Sequence, residues 1–111
     1  MELDINSEHL EDVCTLRLTG EVDVYTAPRL KEALVQHIED GCTDIVIDLG
    51  GMGFIDSSGL GVLVGALRRV KEREGSIRLI CDRENILKIF RITGLDKVFP
   101  VFPSVKDALE F

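Results

Sequence analysis

Short apolar segments alternate with amphipathic segments along nearly the whole chain, and this order constrains the fold more than any other feature. Residues 13–19 alternate apolar and polar side chains, which predicts a half-buried strand. Residues 45–49 form a nearly continuous apolar run, which predicts an inner strand covered on both faces. Further strands are predicted at residues 77–81 and 98–102, with a weaker one at 3–7 followed by a turn at 8–12.

Four helices are predicted between and after these strands. Their predicted limits are Thr26 to Gly41, Ser57 or Ser58 to Gly75, Asp82 or Arg83 to Gly94, and residues 105–110. Strands that alternate with helices require crossover connections, and these connections require a largely parallel sheet with helices packed against it. We therefore predict a single α/β domain over residues 1–111.

The charge balance limits the classes of partner. Twenty acidic residues against thirteen Lys and Arg give a net charge of −7. Binding to nucleic acid depends mainly on neutralisation of phosphates by basic side chains, so neither nucleic acid nor an anionic membrane is an expected partner. The N-terminal residues are acidic where a signal peptide would be basic, and the apolar stretch 60–67 is too short to span a bilayer. We expect a cytoplasmic protein that binds other proteins and is a monomer when free.

The cysteines and histidines predict no metal site and no cofactor. Cys14, Cys42 and Cys81 are widely spaced and form no CxxC pair. Cys14 and Cys81 lie in apolar strand patterns, so we interpret them as small core residues in a reducing compartment. His9 and His37 have no partner at a spacing typical of metal ligands.

Ser57 is the main candidate functional residue. A predicted loop with three glycines follows the strand that ends near Leu49, and Ser57 then lies at the start of a helix. Functional sites in parallel sheets gather beyond the carboxyl ends of the strands. The unpaired N–H groups and the partial positive charge at a helix N-terminus would favour a phosphate on this serine.

The alternative is that Asp56, Ser57 and Ser58 are ordinary helix caps. Gly59 and Gly61 indicate a role beyond helix capping, because each glycine in a helix costs roughly 1 kcal/mol of stability relative to alanine. We interpret this pair as a bare surface that allows close approach of another protein's backbone.

Three segments together identify a family resemblance. The run 56–63 (DSSGLGVL), the segment 20–23 (GEVD) after a strand, and residues 93–95 (TGL) resemble the STAS domain of bacterial anti-sigma factor antagonists. The resemblance extends over essentially the whole chain. Residues 25–28 and 89–92 look like those of actinobacterial members in particular.

The resemblance implies a fold, a function and a set of partners. The fold is a mixed, mostly parallel sheet of about five strands, with about four helices packed mainly on one side. The unmodified antagonist binds an anti-sigma factor that is also a serine kinase, and this binding releases the sigma factor. Phosphorylation of Ser57 blocks binding, and a PP2C-type phosphatase reverses it. Asp23, Asp56, Ser58, Gly59 and Gly61 are the implied partner-binding residues, and Asp23 is expected to lie beside Ser57.

Two other functions are weighed. A serine hydrolase would need a G-x-S-x-G elbow, which neither serine has, and His37 has no evident route to Ser57. A receiver domain phosphorylated at Asp48 would need an acidic pair after its first strand, where this chain has Thr19-Gly20. The chain also has no GxxxxGK[ST] loop, so any nucleotide site would be weak.

Overall fold

A computed structural model describes residues 2–110. Its elements are, in chain order, β1 (Leu3–Leu10), β2 (Val13–Val22), α1 (Ala27–Glu39), β3 (Asp44–Ile55), α2 (Ser57–Lys71), β4 (Ser76–Ile80), α3 (Glu84–Thr93), a short 3-10 helix (Leu95–Lys97), β5 (Val101–Phe102) and α4 (Val105–Glu110). The prediction of an α/β domain with five strands and four helices is confirmed for these residues. None of the helices within 2–110 has the length and apolarity that crossing a bilayer requires.

The strands form one mixed sheet in the order β1-β2-β3-β4-β5. β1 and β2 form an antiparallel hairpin, whereas β2, β3, β4 and β5 are parallel to their neighbours. Each parallel connection passes through a helix, as the alternating sequence pattern predicts. The carboxyl ends of the parallel strands therefore lie at one edge of the sheet, where β2 leads into α1 and β3 leads into α2.

The two faces of the sheet are covered unequally. Alternate residues of β2 and β3, such as Leu16 and Ile47, pack with α1, α2 and α3 into the main core. The opposite face carries a small second core in which Ala108 of α4 meets Val46 and Ile80. Three helices on one face and one on the other agree with helices packed mainly on one side.

The third strand is longer than its sequence predicts, and the predicted glycine loop at its end is wrong. Residues 50–53 continue β3, and Gly51 and Met52 pair with β2, with a register shift on either side of them. A Cβ at position 51 would lie 2.9 Å from Oγ1 of Thr19 and 3.1 Å from the carbonyl oxygen of Leu18. Glycine at this position therefore permits close pairing of the two strands, which a sequence pattern does not distinguish from a loop.

Other limits also differ from the predictions. β1 extends to Leu10, because the hairpin turn is confined to two residues and Glu11 takes a left-handed φ of 56°. The last strand is shortened to two residues by the 3-10 helix before it. The predicted cap of α3 at Gly94 is confirmed, with φ of 76°.

The interpretation of the cysteines needs correction. Cys14 and Cys81 are buried as expected, but Cys14 forms a disulfide with Cys42, 28 residues away. Cys42 follows α1, whose packing against the sheet brings its Cα to 6.3 Å from that of Cys14. The expectation that His9 has no potential metal ligand near it is also wrong. His9 is the residue opposite Cys14 in the β1–β2 pair, and it lies close to both cysteines.

Candidate functional site

Asp56 is the cap of α2. Its side chain accepts hydrogen bonds from the backbone N–H groups of Ser58 (2.8 Å) and Gly59 (3.3 Å), two groups that have no partner within the helix. Ser57 is therefore the first helical residue and is not needed as a cap. The alternative that these residues are ordinary caps holds for Asp56 alone.

The two serines of the motif differ in exposure. Ser57 is exposed, and its hydroxyl takes part in none of the hydrogen bonds found among residues 2–110. Ser58 is half-buried and faces the groove between α1 and α2. An incoming enzyme has freer access to Ser57 than to Ser58.

Asp23 is a turn residue with its carboxylate already in use. It is only 6% exposed, and its Oδ1 accepts hydrogen bonds from the backbone N–H groups of Tyr25 (2.8 Å) and Thr26 (3.0 Å). Burial raises the pKa of Asp23, but these hydrogen bonds outweigh it, and the pKa lies below its ordinary value of 3.8. The Asp23 carboxylate makes no hydrogen bond to the Ser57 hydroxyl among the described residues, because the turn holds it.

The turn of Asp23 nevertheless lies beside the start of α2. The backbone N–H of Asp56 donates to the carbonyl oxygen of Val22 at 3.1 Å, which joins the ends of β2 and β3. The turn presents two apolar side chains to solvent: Val24 is 61% exposed and Tyr25 is 85% exposed. Sequence reasoning missed both residues. Their only signal was that apolar side chains stand in a turn where polar ones are usual.

The two glycines of the motif have different roles. A Cβ at Gly59 would lie 2.6 Å from Cγ1 of Val22 and 2.8 Å from Cγ1 of Ile55. Gly59 is buried, so the absence of a side chain there serves packing of α2 against the sheet, and its interpretation as a partner-facing surface is wrong. Gly61 is exposed, with nothing within 4 Å of its Cβ position, and it does leave a bare surface.

A groove of about 330 Å³ continues from this surface between α1 and α2. The groove is open on the α2 side because Gly61 and Gly65 have no side chains. Lys31 and Arg69 are the charged residues of its lining, and the remaining lining is mostly apolar. The edge of the sheet thus combines an accessible serine, an exposed tyrosine and an open, positively flanked groove.

Comparison with known proteins decides the family. The family model described as the STAS domain matches residues 4–108, nearly the whole chain. The chain belongs to the STAS domain family. The anti-sigma-B factor antagonist of Bacillus subtilis (strain 168) is 37% identical over 101 residues, which cover 91% of this chain and 92% of that protein.

Two solved structures share the fold. An anti-sigma factor antagonist from Mycobacterium paratuberculosis is 29% identical with a TM-score of 0.90, and the match covers 98% of this chain and 92% of that one. The Bacillus cell fate determinant SpoIIAA in its phosphorylated form is 23% identical with a TM-score of 0.76, covering 96% of this chain and 97% of that one.

The geometry of this STAS domain also bears on the two other functions weighed from the sequence. Asp48 lies in the middle of β3 rather than at its end, pairs with Arg17 at 3.3 Å and accepts a hydrogen bond from the backbone of Gly50. Nε2 of His37 lies 3.1 Å from Oγ of Ser7 on β1. Asp48 therefore lacks the strand-end position of a receiver phosphoacceptor, and His37 is not a base for Ser57.

Proposed function

We propose that this protein is an anti-sigma factor antagonist that acts as one cytoplasmic, monomeric domain over residues 1–111, and that Ser57 is its phosphorylation site. In the unphosphorylated form it binds an anti-sigma factor with serine kinase activity, and the bound sigma factor is released. A PP2C-type phosphatase restores the active form. The protein performs no catalysis of its own in this scheme. Support for it comes from the anti-sigma-B factor antagonist at 37% identity.

The observation that carries the assignment is the difference between the two serines. Ser57 is exposed at the first residue of α2 with a free hydroxyl, whereas Ser58 is half-buried and Asp56 already caps the helix. A kinase can therefore modify Ser57 without displacing a hydrogen bond among the described residues.

A phosphate on Ser57 changes the surface while it preserves the fold. It adds about −1.5 to −2 charges beside the positive end of α2, where an anion is stabilised. The carboxylate of Asp56 is next to it, so the local surface becomes strongly negative. We propose that an interface formed with the neutral serine is lost through repulsion and through the cost of burying this charge.

The proposed docking surface consists of Tyr25, Ser57, Gly61 and the groove beyond them. Asp56 and Ser58 shape it as the cap and the inner wall of α2, and Asp23 holds the turn that presents Tyr25. Exposed aromatic residues are frequent energetic centres of protein interfaces. The cationic flanks of the groove favour a partner segment with apolar and acidic side chains.

The test is to incubate the purified protein with the anti-sigma kinases of its organism and Mg-ATP, and to map phosphate by mass spectrometry. We expect phosphate in the wild type and in Ser58→Ala, and none in Ser57→Ala. Stoichiometric phosphorylation of Ser57→Ala would refute the site assignment.

Binding without ATP tests the switch itself. By calorimetry, Ser57→Ala should bind the kinase with the affinity of the wild type, and Ser57→Asp at least about tenfold more weakly. Circular dichroism should show that both variants keep the native fold. Equal affinities of the Ala and Asp variants would contradict a charge-based switch.

A further inference from the structure

The opposite end of the sheet holds a cluster of three potential metal ligands. His9 of β1 and Cys14 of β2 are direct partners across the antiparallel hairpin, and Cys42 follows α1. One ligand atom from each residue lies within 4.8 Å of the other two. The cluster is at the start of β2 and β3, whereas Ser57 follows the end of β3, so this is a separate site.

Two paired strands and the connection after α1 hold these residues in place. Direct partners in an antiparallel pair bring their Cβ atoms to about 4.5–5.5 Å, so His9 and Cys14 point to the same face of the sheet. Cys42 is fixed by a hydrogen bond from its backbone N–H to the carbonyl oxygen of His37, at 2.9 Å. The Cα atoms of the two cysteines are 6.3 Å apart, which allows their sulfurs either to bond or to separate by rotation of the side chains.

The spacing and the donor set suit a tetrahedral ion. Zinc binds thiolate sulfur at about 2.3 Å and imidazole nitrogen at about 2.0–2.1 Å, so neighbouring ligand atoms lie roughly 3.5–3.8 Å apart. Two sulfurs and one imidazole nitrogen are ligands that zinc prefers. Both cysteines are buried while His9 is exposed, so the cluster lies at the rim of the core, where His9 faces solvent.

We propose that the reduced protein binds one zinc ion through Cys14, Cys42 and His9, and that the disulfide and the metal are alternative states of this site. A dithiol reductant supplies two electrons and two protons, so that the disulfide becomes two thiols while the reductant becomes a disulfide. Zinc then displaces the two thiol protons and binds the two thiolates. The same sulfurs cannot form both states, so oxidised protein does not bind the ion.

The test uses Co²⁺ as a spectroscopic probe on the full-length protein, reduced with a phosphine under nitrogen. We expect a thiolate-to-cobalt charge-transfer band and tetrahedral d–d bands at one ion per chain, both abolished by one equivalent of Zn²⁺. The oxidised wild type has the same fold but lacks the thiolates of Cys14 and Cys42, and it should give neither band. Reduced protein without a charge-transfer band, or native mass spectra with one ion shared by two chains, would overturn the proposal.

Variants separate the three ligands from the remaining thiol. Cys42→Ser should abolish the charge-transfer band at equal cobalt concentration, and His9→Ala should weaken binding at least about tenfold, since even residues that only support ligands cost 10–100-fold. Cys81→Ala is the control, because Cys81 lies elsewhere, its Sγ donates to the carbonyl oxygen of Arg83, and burial raises the pKa of its thiol. Unchanged affinity and spectrum in His9→Ala would disprove the three-ligand site.

Discussion

The backbone N–H of Asp56 donates a hydrogen bond of 3.1 Å to the carbonyl oxygen of Val22. Beyond Val22 the chain turns and exposes Tyr25, and beyond Asp56 it starts α2 with Ser57. Together with the pairing of Val22 with Ile55, this bond keeps the exposed tyrosine and the candidate phosphorylation site on neighbouring segments. In the proposed scheme, a charge added at Ser57 would enter the surface on which Tyr25 is exposed.

Replacement of Gly59 by alanine should destabilise the protein. The added Cβ would lie within 3 Å of Cγ1 of both Val22 and Ile55, whose β-branched side chains rotate little. Overpacking of this kind costs about 1–3 kcal/mol, and the helix propensity gained by alanine offsets only part of it. We expect urea denaturation to show a net loss of up to about 2 kcal/mol.

Gly61→Ala is the matched control on the same helix. Space around this position is open, so alanine gains helix propensity of about 0.5–1 kcal/mol without a clash. Its free energy of unfolding should therefore rise. If both substitutions changed stability in the same direction, the buried and open roles of the two glycines would be wrong.

Tyr25→Ala should weaken binding of the anti-sigma factor and leave stability unchanged. Truncation of an aromatic residue at the centre of an interface costs about 2 kcal/mol or more, which is at least tenfold in affinity. Ile92→Ala provides the comparison, because Ile92 is a similarly exposed apolar residue (74%) on α3, away from α2. Calorimetry should show a loss for Tyr25→Ala alone. Equal affinities of the two variants would place the interface elsewhere.

Sequence patterns predicted the elements well where one physical signal was dominant. The apolar run at 45–49 is a buried inner strand, and Gly94 caps α3 in the left-handed conformation. The patterns failed where the role of a residue depends on its contacts with a neighbouring strand. Gly51 reads as a loop residue, but it belongs to β3, where the missing side chain permits close approach of Leu18 and Thr19 on β2.

The candidate site shows the same division. Local sequence located Ser57 at a helix start, and the structure agrees, since α2 begins there. The role of Gly59 depends on Val22, which is 37 positions earlier and touches it only after folding. The disulfide between Cys14 and Cys42 likewise depends on how α1 packs, which residue spacing does not reveal.

Loss of the disulfide should lower stability without unfolding the protein. The chain-entropy model gives about 3–4 kcal/mol for a crosslink that closes a loop of 28 residues. We expect Cys42→Ser and reduced wild type, both metal-free, to lose similar amounts in urea denaturation. Added reductant should have no further effect on Cys42→Ser. A large further loss in that variant would indicate a second redox-sensitive group.

Asp23 should make the protein sensitive to acid. Because its folded pKa lies below the ordinary value of 3.8, the charged carboxylate stabilises the fold fully above that value. This contribution is lost as the pH falls from there through the lower folded pKa. Asp23→Asn keeps an acceptor oxygen for the turn but does not titrate, so its free energy of unfolding should fall less steeply below pH 3.8 than that of the wild type. Parallel curves for the wild type and Asp23→Asn would show that the hydrogen bonds from Tyr25 and Thr26 do not depend on the charge.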